Sequence, residues 1–113
     1  MTSLVPFLRA GDARASAVWW ARLGFEIEWE HRFAPRLPLF LALRRGDDRL
    51  FLSEHKGDAR PDALLYLYVD DADEVAAAFG ATAADTEYGT REVELRDPDG
   101  NRVRVGSPTR DRP

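Results

Sequence analysis

Apolar and polar residues alternate in several short stretches of the chain, and a longer stretch near the start has a helical composition. Asp12 stands where an N-cap is expected, and Gly24 follows the helical stretch as a stop signal. The first half therefore predicts one strand, one helix and three further strands. These are Ser3–Ala10, the helix Ala13–Leu23, a strand carrying Phe25, Ile27 and Trp29 on one face, Leu37–Leu43 and Leu50–Ser53.

The same order of elements recurs in the second half of the chain. Asp70-Asp71 caps a helix that Gly80 ends, and Asp97-Pro98-Asp99-Gly100-Asn101 has the residues of a tight turn between two strands. The repeat of strand, helix and three strands indicates an α+β protein built from two similar modules. The predicted elements are Leu64–Val69, the helix Ala72–Phe79, Ala83–Glu87, Arg91–Arg96 and Arg102–Val105.

Length and composition narrow the class of protein. The 113 residues suit a single domain (residues 1–113), with module one at about 1–57 and module two at about 58–113. A formal net charge of −4 argues against a nucleic-acid or anionic-membrane partner, and no apolar run approaches a membrane span. The absence of cysteine excludes disulfides and thiolate chemistry. With no signal-peptide pattern at the start, we expect a cytoplasmic protein.

Four segments resemble the glyoxalase / bleomycin resistance protein / dioxygenase superfamily, also called the vicinal oxygen chelate superfamily. They are LVPFLRAGD, RLGFE, LYLYVDDADEV and RDPDGNRVRV, in this order along the chain. Within the superfamily the sequence is most similar to the bleomycin resistance proteins. The resemblance implies two tandem βαβββ modules that form a curved mixed-sheet cup with the helices outside. It also implies a homodimer.

Metal-dependent members of this superfamily carry His or Glu at four strand positions. The corresponding residues here are Val5, Phe51, Leu64 and Arg104, and a shift of the second position to Ser53 or Glu54 adds at most one donor. The sequence therefore predicts neither a metal nor another cofactor. The two histidines, His31 and His55, are interpreted as solvated surface residues, and no catalytic residue is predicted.

Strand alternation separates a helix-facing side from a ligand-facing side. On the first strand, Leu4, Pro6 and Leu8 are expected to face the helix, and Phe7 to face the other way. By the same alternation and the resemblance, the predicted ligand-binding residues are Phe7, Trp29, Phe33, Phe51, Tyr66, Tyr68, Glu92 and Arg104. The alternative interpretation is that Tyr66 and Tyr68 fill the core or a dimer interface.

These observations favour a metal-free protein that binds and sequesters a small planar or glycopeptide-like molecule. The resemblance makes an antibiotic of the bleomycin type the expected ligand, with drug resistance as the outcome. One alternative is a diverged glyoxalase-like lyase or isomerase, or a dioxygenase-family enzyme, with Glu92 or Glu94 as general base. Another is a partner-binding domain whose cup holds no ligand.

Overall fold

The computed structural model describes residues 2–32 and 34–109. Contacts between residues divide the chain into two compact units. The first unit contains the residues up to Ala63 together with the turn Asp97–Asn101, and the second contains Leu64–Arg96 and the residues from Arg102 onward. No helix among the described residues is long and apolar enough to cross a membrane.

The first unit contains one helix and a four-stranded mixed sheet. Strand order is β1-β4-β3-β2, with β1 parallel to β4 and the other neighbours antiparallel. A parallel β1–β4 pair requires a long connection, which the helix and the two strands β2 and β3 provide. The elements are β1 (Phe7–Arg9), α1 (Ala13–Ala21), β2 (Glu26–His31), β3 (Phe40–Arg45) and β4 (Asp48–Ser53).

The second unit repeats this arrangement. Strand order is β5-β8-β7-β6, and β5 is parallel to β8. The predicted α+β class and the two βαβββ modules are thereby confirmed. The elements are β5 (Leu64–Tyr68), α2 (Ala72–Ala78), β6 (Ala84–Asp85), β7 (Thr90–Arg96) and β8 (Arg102–Pro108).

The core of the first unit lies between α1 and one face of its sheet. Trp20 is 1 % exposed, and its ring packs edge-on against Phe25 at 5.4 Å. The Asp12 side chain caps α1 by accepting from the backbone N–H of Ala15 at 3.1 Å. The sheet face that packs against α1 is rich in leucine. Its burial removes apolar surface from water, which is the main favourable term in folding. Its buried leucines are Leu8, Leu41, Leu43, Leu50 and Leu52.

Two predicted orientations in the first unit are wrong. Leu4 was expected to face the helix but is 92 % exposed, because it precedes β1, which starts only at Phe7. Ile27 and Trp29 were expected on one face of β2. A β-bulge shifts the register between them, so that Ile27 pairs with Leu43 on the helix side and Trp29 pairs with Ala42 on the opposite side.

Buried polar groups in the turn Asp97–Asn101 are completely hydrogen-bonded. The Asp97 carboxylate accepts from the backbone N–H groups of Asp99 and Asn101, both at 2.9 Å, and from the Trp20 indole at 3.2 Å. The Asn101 side chain, 0 % exposed, donates to the Arg9 carbonyl at 3.0 Å and accepts from the Ala63 N–H at 3.1 Å. The turn therefore satisfies backbone groups at the end of β1 and just before β5.

Replacing Asn101 by alanine should leave the part-buried Arg9 carbonyl and Ala63 N–H without these hydrogen-bond partners. We expect the free energy of unfolding to fall by about 1–3 kcal/mol for each group left unsatisfied. Urea denaturation measures this loss. The exposed Lys56→Ala variant is the control and should change stability by less than about 0.5 kcal/mol. Equal stability of Asn101→Ala and the parent would contradict this role.

Candidate functional site

Four aromatic rings lie together on the sheet face of the first unit that α1 does not cover. Phe7, Phe51 and Trp29 belong to one row across the sheet, because Phe7 pairs with Phe51, and Phe51 and Trp29 both pair with Ala42. Phe40 lies two residues before Ala42 and therefore points the same way. We call these residues, Phe7, Trp29, Phe40 and Phe51, the aromatic face.

The rings of the aromatic face contact one another closely. Phe40 and Phe51 have centroids 5.0 Å apart, and Trp29 stacks on Phe40 at 5.6 Å with an interplanar angle of 18°. The small side chain of Ala42 leaves the centre of the row open, and the centroids of Trp29 and Phe51 are 5.6 Å apart there. Phe7 and Trp29 remain 44 % and 46 % exposed. The aromatic face is therefore a preformed apolar surface that is open to solvent.

A groove of about 540 Å³ lies beside the aromatic face, within the size range of small-molecule sites. Trp29 and Phe40 form its apolar wall, and His31, His55 and Asp58 provide polar groups. The Ser53 hydroxyl donates to the Asp58 carboxylate at 2.6 Å and fixes its position. Sequence reasoning treated the two histidines as separate surface residues, but the structure brings both to this groove.

Glu28 lies between Ile27 and Trp29 at the bulge in β2 and pairs with Arg49 of β4. Both oxygens of Glu28 accept from the Arg49 guanidinium, at 3.0 and 2.9 Å. This hydrogen-bonded pairing with Arg49 holds the pKa of the Glu28 carboxyl below its ordinary value. The Glu28 charge is therefore paired within the sheet, and the aromatic rings dominate the chemistry of this surface.

The second unit presents a different surface, made of tyrosines and one carboxylate. Tyr66 and Tyr68 alternate onto one side of β5, with ring centroids 4.6 Å apart, and are 38 % and 70 % exposed. Their exposure shows that these two tyrosines do not fill the core of the chain. On the opposite side of the sheet, the strand residues Val93, Leu95, Val103 and Val105 are buried, as the alternation predicts.

Glu92 lies at the centre of this surface and accepts three hydroxyl hydrogen bonds on one oxygen. Its Oε2 accepts from Tyr66 at 2.8 Å, from Tyr88 at 2.7 Å and from Thr90 at 3.1 Å. Partial burial raises the pKa of Glu92, but the hydrogen bonds from Tyr88, Tyr66 and Thr90, with the nearby charge of Arg104, outweigh it and leave the pKa below the ordinary value. We call Tyr66, Tyr68, Tyr88 and Glu92 the tyrosine face.

Gly106 makes the hydrogen bond from Tyr66 to Glu92 possible. It is the cross-strand partner of Glu92, and a Cβ at this position would lie 1.9 Å from the Tyr66 hydroxyl oxygen and 2.7 Å from its Cζ. The Tyr66 ring therefore crosses directly over the Gly106 backbone to reach Glu92. Sequence reasoning missed Gly106, Tyr88 and Thr90. The strand β8 extends beyond the predicted end at Val105 to Pro108, so Gly106 lies inside the strand, where a glycine often marks close approach of another group.

Seven of the eight predicted ligand-binding residues lie in the described part of the chain, and they divide between the two units. Phe7, Trp29 and Phe51 form part of the aromatic face of the first unit, and Phe40 is an addition to the prediction. In the second unit Tyr66, Tyr68 and Glu92 lie together, whereas the Arg104 guanidinium donates to Glu94 at 3.1 Å. Phe33 lies outside the described residues.

The residues at the superfamily's metal positions do not fit a divalent metal. Phe51 contacts Phe7 with its ring, and Arg104 carries a positive charge that is paired with Glu94. The Glu54 carboxylate accepts from the backbone N–H groups of Ala13 and Leu39, both at 2.9 Å, so it already serves the start of α1. Across residues 2–32 and 34–109, no group of three or more His, Asp or Glu side chains could hold a metal ion.

Comparison with known proteins gives a family match and several similar folds. The family model described as "Glyoxalase superfamily protein" matches residues 1–111. No curated protein matches the chain. A bleomycin-binding protein complexed with bleomycin is 23 % identical, with 96 % of this chain and 100 % of that chain covered and a TM-score of 0.71.

Two further solved structures have the same fold. A bleomycin resistance determinant encoded on the transposon Tn5 is 22 % identical, covers 96 % of this chain and 98 % of its own, and has a TM-score of 0.73. A glyoxalase I mutant from Zea mays is 16 % identical, covers 93 % of this chain and 46 % of its own, and has a TM-score of 0.76. At these identities, the solved structures show the fold alone.

The hydrogen bonds to Glu92 predict a measurable change in tyrosine titration. Burial and the bond to Glu92 raise the pKa of Tyr66, and the bond to Glu92 raises that of Tyr88, above the ordinary value for a phenol. Because the folded-state pKa values are raised, the stabilisation from these phenols is fully present below the unfolded-state pKa. It is lost as the pH rises through the folded-state values. Glu92→Gln should therefore move part of the tyrosinate absorbance curve to lower pH.

Two variants at neighbouring positions serve as comparisons for this titration. Gly106→Ala forces the Tyr66 ring away from Glu92, so it should also lower the pKa of Tyr66 while leaving the Tyr88 bond to form. Glu87→Gln removes an equal charge from an exposed position and should leave the curve unchanged. Identical curves for the parent and Glu92→Gln would contradict the hydrogen-bonded arrangement.

Proposed function

This chain belongs to the glyoxalase superfamily, and we propose that it binds small planar organic molecules and holds them without chemical change. The observation that supports this proposal is the aromatic face. Its rings are packed against one another in fixed positions, yet Phe7 and Trp29 are each more than 40 % exposed. When a flat apolar molecule binds to such an aromatic surface and displaces water from it, the free energy falls.

The groove beside the aromatic face adds a means of orienting the ligand. A planar molecule stacked on Trp29 and Phe40 would bring its edge towards His31, His55 and Asp58. These side chains include hydrogen-bond donors and acceptors, so they suit a ligand with a polar periphery. The groove therefore favours planar molecules with polar substituents over purely apolar ones.

Antibiotics of the bleomycin type are the first ligand class to test. Two proteins with the same fold are described as a bleomycin-binding protein and a bleomycin resistance determinant. We propose that this chain sequesters an intact drug, so that resistance follows from binding alone. Such sequestration requires affinity but no reacting group, which suits a surface of aromatic rings.

The catalytic alternative requires a carboxylate that accepts a proton readily. A general base works best when its pKa is near the working pH, whereas three hydroxyl donors keep the pKa of Glu92 low. Glu94 accepts a charge-assisted hydrogen bond from Arg104. Glu92 is therefore a weakened base and the Glu94 carboxylate is engaged in an ion pair, so we favour binding over lyase or isomerase chemistry.

We also propose that the chain forms a cytoplasmic homodimer. Each four-stranded sheet ends in edge strands, and β2 is exposed along its whole length. Open edges and exposed apolar residues such as Ile27 are features that a second copy can cover. The partner-binding alternative would use the same surfaces for a different protein.

Removing a ring from the aromatic face or from the tyrosine face should weaken ligand binding without unfolding the protein. For a bound bleomycin or planar aromatic antibiotic, we expect Phe7→Ala or Tyr68→Ala to cost about 1–3 kcal/mol, or roughly tenfold to a hundredfold in Kd. Tryptophan fluorescence titration measures the affinity. Val18→Ala removes an exposed apolar side chain from α1 and is the matched control. A ligand that binds the parent and both ring variants equally well would rule out these faces as its site.

The proposed dimer predicts a mass twice that of the 12.8 kDa chain. Static light scattering at micromolar concentration should give this doubled mass. A charged residue at Ile27, as in Ile27→Lys, should weaken a dimer that covers β2, because a buried unpaired charge is costly. A monomeric parent protein under these conditions would refute the proposed assembly.

A further inference from the structure

Around Glu92, the tyrosine face presents hydrogen-bond acceptors rather than donors. A phenol hydroxyl has a single proton, and both Tyr66 and Tyr88 give theirs to Glu92 Oε2. Each phenol oxygen can then only accept further hydrogen bonds. Thr90 also donates its hydroxyl proton to this carboxylate oxygen. A molecule that hydrogen-bonds to these oxygens must therefore bring its own N–H or O–H donors.

The second carboxylate oxygen of Glu92 is a further hydrogen-bond acceptor on the tyrosine face. Oε1 accepts no hydrogen bond from the described residues, although an ionised carboxylate oxygen has two acceptor sites. Three donated hydrogen bonds on Oε2 and the lowered pKa keep the group ionised at neutral pH. The tyrosine face thus combines a fixed negative charge with an unused acceptor atom.

The cation whose charge acts on Glu92, Arg104, is already paired with another carboxylate. Arg104 Nε donates to Glu94 Oε1 at 3.1 Å, and no ion pair reaches Glu92 from the described part of the chain. Arg104 lowers the pKa of Glu92 through its charge, but its guanidinium is held by Glu94. A cationic ligand group would therefore meet the carboxylate of Glu92 without displacing a protein cation bonded to it.

Aromatic rings flank this carboxylate. Tyr68 is 70 % exposed and lies against Tyr66, whose ring is held over Gly106. The face of a phenol ring attracts a cation, and delocalised planar cations also stack on it. A flat cation can consequently stack on the tyrosine rings and bind the Glu92 carboxylate from one position.

We propose that the tyrosine face selects a planar cation with several N–H donors, namely an amidinium or guanidinium group carried by an organic molecule. One N–H would donate to Glu92 Oε1 and another to a tyrosine oxygen, while the flat group stacks on Tyr66 or Tyr68. The inference rests on the proposed function, since it specifies the chemical class of a bound small molecule. A neutral amide has fewer donors and no charge, and a carboxylate would be repelled.

Three compounds of one shape test this selectivity: benzamidine, benzamide and benzoate. NMR titration of the ¹⁵N-labelled full chain should show benzamidine shifting resonances of β5 and β7 with an affinity at least about tenfold higher than that of benzamide or benzoate. Glu92→Gln keeps the shape of the side chain but removes its charge, and it should reduce benzamidine binding to the level of benzamide. Glu87→Gln, with the same loss of charge at an exposed position, should bind benzamidine like the parent.

The possible contrary results separate this inference from the proposed function. Benzamide or benzoate binding as tightly as benzamidine, or equal binding by the parent and Glu92→Gln, would overturn the cation selectivity while leaving aromatic binding intact. No shift in β5, β7 or β8 with any of the three compounds would also overturn it. The proposed function is then decided separately, by the fluorescence titration of Phe7→Ala with planar antibiotics. The ¹⁵N spectrum of Glu92→Gln itself shows whether the variant is folded.

Discussion

A β-sheet has two faces, and each unit of this protein has one helix with which to cover them. In the first unit, α1 covers the face that carries the buried leucines of β3 and β4. Alternation along each strand then sends every second side chain to the uncovered face, whatever its chemistry. Aromatic residues occupy that face, so the uncovered side becomes a surface suited to flat molecules. The second unit follows the same rule, with tyrosines in place of phenylalanines.

Two local features of the strands, a bulge and a glycine, determine how the rings are arranged. The bulge in β2 separates Ile27 from Trp29 and places Trp29 in the row with Phe51 and Phe7. Without the extra residue, Trp29 would lie on the helix side and the groove would lose one wall. In β8, the missing side chain of Gly106 admits the Tyr66 ring and brings its hydroxyl to Glu92. The bulge and the strand glycine each organise a surface, which is a common use of such features.

Much of the fold followed from residues whose effect is local. The Asp12 cap and the Asp97–Asn101 turn are specified by short-range chemistry, and the exposure of Tyr66 and Tyr68 follows from alternation in a regular strand. The predictions that were wrong or incomplete depend on the register between strands. Neither the β2 bulge nor the pairing that brings Phe40 beside Trp29 is encoded in a single segment. The hydroxyls of Tyr88 and Thr90 come from a turn and the start of a strand, where alternation gives no guide to direction.

We propose that the uncovered sheet faces hold the ligand. A crystal structure of the protein grown with a planar aromatic antibiotic tests it most directly, because it locates the molecule relative to both faces of each sheet. The account predicts that the ligand stacks on the rings of Trp29, Phe40 and Phe51, or on Tyr66 and Tyr68. A ligand bound on the helix side of either sheet, with these rings left in contact only with water, would contradict it.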